Sequence, residues 1–263
     1  MRIGIRREDK NEYEARVPLI PEHIRSLLNQ FPVKFYIQPS AIRAFTDSEY
    51  RQAGAIVRED LSECDIVFAV KEIPVDFFLP ENKYVFFSHT IKGQPYNMPL
   101  LKRMVDLKTT LIDYEKIADE NGNRLVFFGR FAGIAGMIDS FWALGKRLEN
   151  EGFKTVFSEL KQALNYPGLE SIIAAYSEQA KTLSQEGLPE TLTPLIFGFT
   201  GYGNVSCGAQ EIFDLFPHIE IHPEELAEFY QKGKFSKKHL YKVVFKEKHL
   251  VKPKNSNSEF NLQ

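Results

Sequence analysis

Cysteine is scarce in this chain, and its scarcity excludes several classes of protein. The 263 residues contain two cysteines, Cys64 and Cys207, and neither has another cysteine or a histidine at the spacing of a zinc site. Two thiols cannot build a disulfide framework, and such sparse use is typical of a reducing compartment. We therefore expect neither a disulfide-rich secreted domain nor a bound metal.

Long apolar runs and a strong net charge are also missing. No apolar stretch approaches the roughly 18 residues that cross a bilayer, and the opening stretch MRIGIRREDKNEYEARVPL has no apolar segment of the secretory kind. The net charge of −2 offers no overall field for nucleic acid or an anionic membrane. These absences predict a cytoplasmic protein with no nucleic-acid or membrane partner.

Positive charge is concentrated in one segment. Nine lysines lie between positions 232 and 254. The expected structure is a solvated, lysine-rich surface, and a nucleic-acid patch is the weaker alternative.

Short apolar runs alternate with helical patterns through the first 128 residues. This alternation predicts an α/β domain with a mostly parallel sheet. A helix is expected from Pro21, and strands are expected over 2–5, 34–40, 65–70, 84–89 and 109–115. Active groups gather at the carboxyl ends of such strands, so Lys71, His89 and Glu115, which lie at predicted ends, are candidate site residues.

The pattern changes from Gly129 onward. Small residues at near-helical spacing predict a closely packed helix over 131–149, and further helices are expected over 154–164 and 169–186. A buried strand is expected over 195–200. We therefore predict two domains, residues 1–128 and residues 129–263.

A glycine-rich segment follows the last predicted strand. Gly201, Gly203 and Gly208 lie between that strand and a helix expected over AQEIFDLF, which is the context of a dinucleotide phosphate site. Gly201 would allow a tight turn and Gly203 a close approach of pyrophosphate, which the N–H groups of the helix N-terminus would bind. The alternative is a glycine-rich turn without a ligand.

The choice between NAD and NADP stays open at this stage. An acid about 20 residues beyond the first glycine would hold the ribose of NAD. Glu220, Glu224 and Glu225 fall near that distance, but none is clearly at a strand end in the right register.

Cations cluster after the first predicted strand. Arg6, Arg7, Lys10 and Arg16 are interleaved with acidic residues. Such a cluster could bind substrate carboxylates, because guanidinium groups bind carboxylate in a bidentate way. A solvated loop of mixed charge is the alternative.

Lys71 and His89 form a second candidate pair. A lysine after a buried strand can have its pKa lowered by desolvation, and histidine transfers protons near neutral pH. Lone residues of this kind usually have no catalytic role. Two of them at neighbouring strand ends, with Glu72 and Glu115 nearby, favour acid–base chemistry.

Five segments together resemble the lysine–ketoglutarate reductase family, in order over roughly residues 1–220. They are IRREDKNEYEARVPLIPEHI, AVKEIP, FFSHTIKGQPYNMPLL, DYEKIADENGNRLVFFGRFAGIAGMID and GFTGYGNVSCGAQEIF. The resemblance extends to the wider superfamily of alanine dehydrogenase and the transhydrogenase α subunit. It implies two Rossmann-like α/β domains with an active site in the cleft between them. It also implies condensation of L-lysine with 2-oxoglutarate, and reduction of the imine to saccharopine with a nicotinamide cofactor, usually NADPH.

The resemblance also implies roles for individual residues. Those matched to catalysis are Lys71 and His89, with Glu72 and Glu115 as carboxylates that tune them. Those matched to the substrate acids are Lys10, Arg16, Lys92 and Arg124. Those matched to the cofactor site are Gly201, Gly203, Asn204, Val205 and Gly208.

The carboxyl end departs from the family pattern. About two strands of the nucleotide-binding sheet are expected before a polar end, so we expect the second domain to be incomplete and a carboxyl-terminal half or partner subunit to be missing. The alternatives are an alanine dehydrogenase-like reductase and a non-catalytic module that binds lysine, an oxo-acid or a nucleotide.

Overall fold

The computed structural model describes residues 1–254 and residue 260. The chain divides into two compact units, Met1–Phe127, here called unit 1, and the residues from Phe128 onward, here called unit 2. Within the described residues, no helix combines the length and the apolar character needed to cross a membrane.

Unit 1, all of which is described, contains a parallel sheet of six strands. The strands are β1 (Arg2–Ile5), β2 (Lys34–Ile37), β3 (Ile56–Val57), β4 (Ile66–Phe68), β5 (Lys83–Phe86) and β6 (Thr110–Asp113). Their order is β3-β2-β1-β4-β5-β6, the arrangement of a doubly wound dinucleotide-type fold. Ile3 pairs with Phe35 on one side and Ile66 on the other.

Three α-helices accompany this sheet. They are α1 (Pro21–Gln30), α2 (Asp47–Gln52) and α3 (Met98–Asp106). Pro21 occupies the first turn of α1, where its missing N–H costs nothing. Thr46 and Glu49 cap α2 reciprocally. Two apolar clusters, one around Ile5 and Phe35 and one around Tyr84 and Phe86, form the core.

Unit 2 combines helices with a smaller parallel sheet. Its elements are α4 (Gly129–Asn150), α5 (Leu169–Glu186), β7 (Ile196–Thr200), α6 (Asn204–Phe213), β8 (His218–Glu220), α7 (Leu226–Lys232), β9 (Leu240–Phe245) and α8 (Glu247–Leu250). In the described residues this sheet has three strands in the order β7-β9-β8. Its core is rich in aromatic rings, with Phe141 in contact with Phe157, Tyr176 and Phe213.

Helices α4 and α6 pack unusually closely. A Cβ atom added at Gly133 would lie 1.9 Å from the Val205 carbonyl oxygen, and one at Gly208 would lie 2.0 Å from the Arg130 carbonyl oxygen. Only glycine fits at these two crossings, which explains the small residues that the sequence places in this stretch.

The predicted α/β class is confirmed, and several element bounds are corrected. Five predicted strands are shorter than expected, and the second sheet has three strands in the described residues instead of about two. The predicted helix over 154–164 is wrong. Turns occupy much of that stretch, where the Ser158 hydroxyl accepts a hydrogen bond from the Thr155 amide at 3.2 Å. Such side-chain hydrogen bonds compete with helix formation.

The lysine-rich segment is only partly a solvated surface. Lys242 is 5% exposed and its ammonium donates to Asp214 at 2.8 Å. Its position in the middle of β9 buries the side chain, and the carboxylate compensates for the loss of water.

Candidate functional site

The order of the large sheet reverses between β1 and β4. Ligands in open α/β sheets bind outside the carboxyl ends of the strands at such a switch point. The segments that leave β1, β4 and β5 are held together there. The Arg6 amide donates to the Phe68 carbonyl at 2.9 Å, and the Phe87 amide donates to the Val70 carbonyl at 3.0 Å.

Glu8 joins two of these segments. Its carboxylate accepts hydrogen bonds from the backbone amides of Val70 at 2.7 Å and Lys71 at 2.9 Å. The residue is 6% exposed. Burial raises the pKa of Glu8, and the two amide hydrogen bonds oppose that effect without cancelling it. The carboxylate of Glu8 therefore fixes the backbone from which Lys71 projects.

Glu72 contacts two of the predicted basic residues, Lys10 and His89. One of its oxygens accepts from the Lys10 ammonium at 2.6 Å, and the other lies 2.8 Å from the Nδ1 atom of His89. Burial raises the pKa of Glu72, but the hydrogen bonds outweigh it and the pKa is lowered to about 2. Glu72 is thus a fixed anion at neutral pH, and His89 Nδ1 is oriented by it.

The backbone of His89 is unusual. Its φ is +50°, in the left-handed region that a non-glycine residue seldom adopts. The buried Asn97 side chain donates to the His89 carbonyl at 3.3 Å. The β5–α3 connection therefore presents the imidazole in a defined direction.

Arg16 lies beside a buried acid. Glu14 accepts from the Nε atom of Arg16 at 2.7 Å and from Nη2 at 2.5 Å. Burial raises the pKa of Glu14, yet the Arg16 hydrogen bonds and the charge of Lys71 bring it below its usual range. Glu14 thereby orients the Arg16 guanidinium. The positive charge of Lys71 lies near enough to Glu14 to lower the pKa of that carboxyl.

Arg124 and Glu115 form a separate pair. The Nη1 atom of Arg124 lies 3.6 Å from a Glu115 oxygen, and the guanidinium lies 6.0 Å from the centre of the Phe87 ring. The Phe87 ring stacks with the His89 imidazole at 6.1 Å. Among the described residues, Glu115 forms its ion pair with Arg124, and Lys92 is exposed and forms no ion pair.

A cavity of about 420 Å³ lies against the Lys10–Glu72 pair. Its wall combines these two charged side chains with apolar ones, including Ile73, Pro74 and Leu100. Such a wall suits a ligand with both an aliphatic chain and charged groups.

The glycine segment of unit 2 forms a turn between β7 and α6. Gly201 has φ of +80°, and Cβ atoms added at Gly201 or Gly203 would meet nothing within 4 Å. Within the described residues, no side chain caps the first turn of α6. The open space and the uncapped amides of a ten-residue helix fit the pyrophosphate of a dinucleotide.

The other predicted cofactor residues have different surroundings. Asn204 and Val205 open α6 and are exposed. Gly208 lies inside the helix, because α6 begins before it and not after it as predicted. Its backbone faces α4, so close helix packing explains this third glycine.

The parts played by Glu8 and Asn97 were not predicted from the sequence, because each depends on side-chain hydrogen bonds to the backbone of another segment. The pairing of Ser88 with the buried Asp113, the last residue of β6, was also not predicted. The available sequence signal for Glu8 was its position three residues beyond a buried strand, where site residues of such sheets gather.

The chain is similar to one described family and to two longer synthases. The model of a family described as "Alanine dehydrogenase/PNT, N-terminal domain" matches residues 4–135. The chain is 37% identical over 273 residues to alpha-aminoadipic semialdehyde synthase of Arabidopsis thaliana, covering 98% of this chain and 26% of that protein. It is 41% identical over 247 residues to the mitochondrial alpha-aminoadipic semialdehyde synthase of Bos taurus, covering 94% and 26%.

Two more distant similarities agree with these. Saccharopine dehydrogenase [NAD(+), L-lysine-forming] of Candida glabrata is 29% identical over 212 residues, covering 76% of this chain and 54% of that protein. A solved L-alanine dehydrogenase superposes with a TM-score of 0.58 at 22% identity, covering 93% of this chain and 61% of that one. The chain spans about a quarter of the length of the synthases that it matches.

Proposed function

The chain belongs to the alanine dehydrogenase/PNT family, on the branch of the aminoadipic semialdehyde synthases, and on that premise we propose that it serves as a lysine–ketoglutarate reductase. The proposed reaction condenses L-lysine with 2-oxoglutarate and reduces the resulting imine to saccharopine. Unit 1 would bind the substrates and transfer protons, and unit 2 would contribute to the nicotinamide cofactor site.

The observation that carries this proposal is the network at the switch point of unit 1. Glu72 contacts both Lys10 and His89, and Glu8 fixes the backbone of Lys71. A site that served only to bind anions would have little need for an imidazole held by a carboxylate. That arrangement supports proton transfer.

The proposed chemistry requires several proton transfers. The ε-amine of lysine must lose a proton before it attacks the carbonyl carbon of 2-oxoglutarate. The carbinolamine must then gain a proton on oxygen so that water can leave. We assign these transfers to Lys71 and His89, with Glu72 holding the imidazole. The cofactor, when bound, supplies the hydride that reduces the imine carbon.

The substrates carry several carboxylates, which require cations. Arg16, oriented by Glu14, is the proposed partner of one substrate carboxylate. Lys10 beside the cavity, Lys92 and Arg124 are proposed for the others. Glu115 would act through Arg124, since that is its ion-pair partner in the described structure.

The proposed cofactor is NADP, with NAD as the alternative. The Candida glabrata relative carries NAD(+) in its name, whereas the resemblance described above favours NADPH. Gly201, Gly203 and the amides of Asn204 and Val205 would bind the pyrophosphate, and Gly208 would support this turn by its packing on α4.

The cellular compartment is also a proposal. Sequence composition predicts the cytoplasm, and the bovine relative is named mitochondrial. Fractionation of cells that express the tagged chain would distinguish the two.

The direct test is an assay of NADPH absorbance with L-lysine and 2-oxoglutarate. We expect oxidation that depends on both substrates, and replacement of lysine by ammonia or of 2-oxoglutarate by pyruvate should abolish it. Oxidation with pyruvate and ammonia would instead show an alanine dehydrogenase-like activity. Binding of saccharopine without any binding of NADPH would favour a non-catalytic module.

A further inference from the structure

The small sheet of unit 2 has an unexpected strand order. In a dinucleotide-binding unit, the group that contacts the adenosine ribose lies near the end of the strand adjacent to the glycine-turn strand. The next strand along the chain usually occupies that place. Here β9 pairs with β7 from Ile196–Tyr241 to Thr200–Phe245, and β8 lies on the far side of β9.

This order removes Glu220 from the ribose position. Neighbouring strands lie about 4.8 Å apart, so β8 is roughly 10 Å from β7 across the sheet. Glu220 of β8 pairs in register with Lys242 of β9, and Lys242 pairs in register with Phe197 of β7. Phe197 lies three residues before Thr200, the last residue of β7. At about 3.3 Å per residue, Glu220 is also roughly 10 Å short of the glycine turn along the strand. It lies 4.0 Å from the Lys242 ammonium.

Lys246 occupies the place that Glu220 does not. The Gly201 amide donates to the Phe245 carbonyl at 2.8 Å, which fixes the end of β9 beside the glycine turn. The next residue is Lys246, and its ammonium lies 5.7 Å from the centre of the Tyr202 ring. Tyr202 is the residue between Gly201 and Gly203. Its side chain is exposed, and no ion pair of Lys246 is recorded in the described part of the chain.

The nearby acids are arranged differently. Glu224 lies 3.8 Å from the Lys248 ammonium and 3.9 Å from each of the His222 and His249 rings, so it faces three other basic groups. Glu247 begins the short helix α8 immediately after Lys246. The cation at the glycine turn is thus the ammonium of Lys246.

We propose that Lys246 binds the 2′-phosphate of the adenosine ribose and makes this site select NADPH over NADH. The inference rests on the dinucleotide site proposed above. An ammonium forms charge-assisted hydrogen bonds with phosphate, whereas the ribose 2′-hydroxyl of NADH gives it a much weaker partner. A carboxylate at this place would have the opposite preference, because it accepts from the 2′-hydroxyl and repels the phosphate.

The test measures binding and does not depend on turnover. The purified chain would be titrated with NADPH and with NADH by nicotinamide fluorescence, and with 2′,5′-ADP and 5′-ADP by calorimetry. We expect the 2′-phosphorylated member of each pair to bind more tightly. Lys246→Ala should weaken it by roughly tenfold or more, as for loss of a hydrogen bond between charged groups. NADH and 5′-ADP should be unaffected.

Three further variants complete the design. Lys246→Arg should retain the preference, and Lys246→Glu should reverse it toward NADH. Lys248→Ala, two residues along and also exposed, is the matched control and should leave the ratio unchanged. Circular dichroism melts would confirm that each variant folds as the parent does.

The outcomes separate two kinds of failure. If both dinucleotides bind without discrimination, or if Lys246→Ala weakens both equally, the role of Lys246 is wrong while the cofactor site stands. If neither dinucleotide binds the parent chain, both the site and the role of Lys246 are wrong.

Discussion

The switch point of unit 1 and the glycine turn of unit 2 are built on opposite principles. At the switch point, charged side chains hold one another, as in the contacts of Glu72 with Lys10 and His89. At the glycine turn, a Cβ atom added at Gly201 or Gly203 would meet no atom within 4 Å, and no side chain caps the first turn of α6 in the described residues. The proposed chemistry at the switch point depends on which side chains are present, and the proposed cofactor binding at the glycine turn depends on the absence of side chains at its two glycines.

The largest effect is expected from removal of a group that the proposed reaction needs. Lys71→Met should lower kcat of the proposed reductase by roughly 10²–10⁴-fold, the usual contribution of a general acid or base. NADPH binding should not change, because the glycine turn belongs to unit 2. The measurement is steady-state kinetics together with NADPH titration.

Lys102→Met is the matched control for that variant. Lys102 is exposed on α3, its ammonium donates to Asp106 at 2.7 Å, and it does not line the cavity beside Lys10 and Glu72. Its substitution should leave kcat unchanged. A Lys71→Met variant with near-normal kcat would remove Lys71 from the mechanism.

Replacement of Gly208 should mainly lower the stability of the fold, whereas replacement of Gly203 should mainly weaken NADPH binding. Gly208→Ala should destabilise the fold by about 1–3 kcal/mol or more, because a Cβ there meets backbone and overpacks the helix crossing. Gly203→Ala should cost less than about 1 kcal/mol, the scale of a change at a helix N-cap, while weakening NADPH binding. Urea unfolding and NADPH titration measure the two effects. Equal loss of stability in both variants would contradict the distinction.

Substitution of Glu8 tests whether its buried carboxylate stabilises unit 1 by accepting hydrogen bonds from backbone amides. Glu8→Ala leaves the amides of Val70 and Lys71 without their carboxylate acceptor, and each unsatisfied buried amide costs about 1–3 kcal/mol. Glu8→Gln retains one acceptor oxygen and should fall between the parent and Glu8→Ala. The exposed Glu12→Ala is the control. Urea unfolding that shows no difference between Glu8→Ala and Glu12→Ala would refute this role.

The smallest effect expected is a pH dependence due to Glu72. Its pKa falls from 4.5 in the unfolded chain to about 2 in the folded one. Because the folded pKa is the lower, the stabilisation is fully present above about pH 4.5 and is lost as the pH falls toward 2. The effect is modest, since the partner Lys10 has a side chain that is 42% exposed and water screens the pair.

Urea unfolding of the parent and of Glu72→Gln between pH 2 and 6 measures this contribution. The difference in unfolding free energy between the two should shrink as the solution becomes more acidic. A difference that stays constant over the range would show that Glu72 is not ionised in the way described.

The predictability of the structure differs between the two regions. The alternation of apolar runs and helical patterns in unit 1 gave its parallel sheet, and Lys71 and His89 were expected at strand ends, because these signals are local. The role of Glu8 could not be predicted, since its partners lie more than 60 positions away along the chain. The failed helix over 154–164 has apolar residues at helical spacing, but turns place those residues in the core.

Gly208 and Lys246 show the same limit at the glycine turn. The sequence marks Gly208 as part of a phosphate motif, and the structure explains it by contact with the Arg130 backbone. Lys246 belongs to a lysine-rich segment that reads as solvent-exposed surface. Its place beside the turn follows from the pairing of β9 with β7, which no local pattern encodes.

Local patterns in the amino-acid sequence predict the α/β class, the glycine turn and the residue types of both candidate sites, because periodicity, turn chemistry and charge are properties of short segments. Tertiary structure alone decided which carboxylate holds His89, which glycine touches a neighbouring helix and which strand ends beside the turn. Those outcomes depend on contacts between segments far apart in the chain, and such contacts exist only after the strands have paired and the helices have packed.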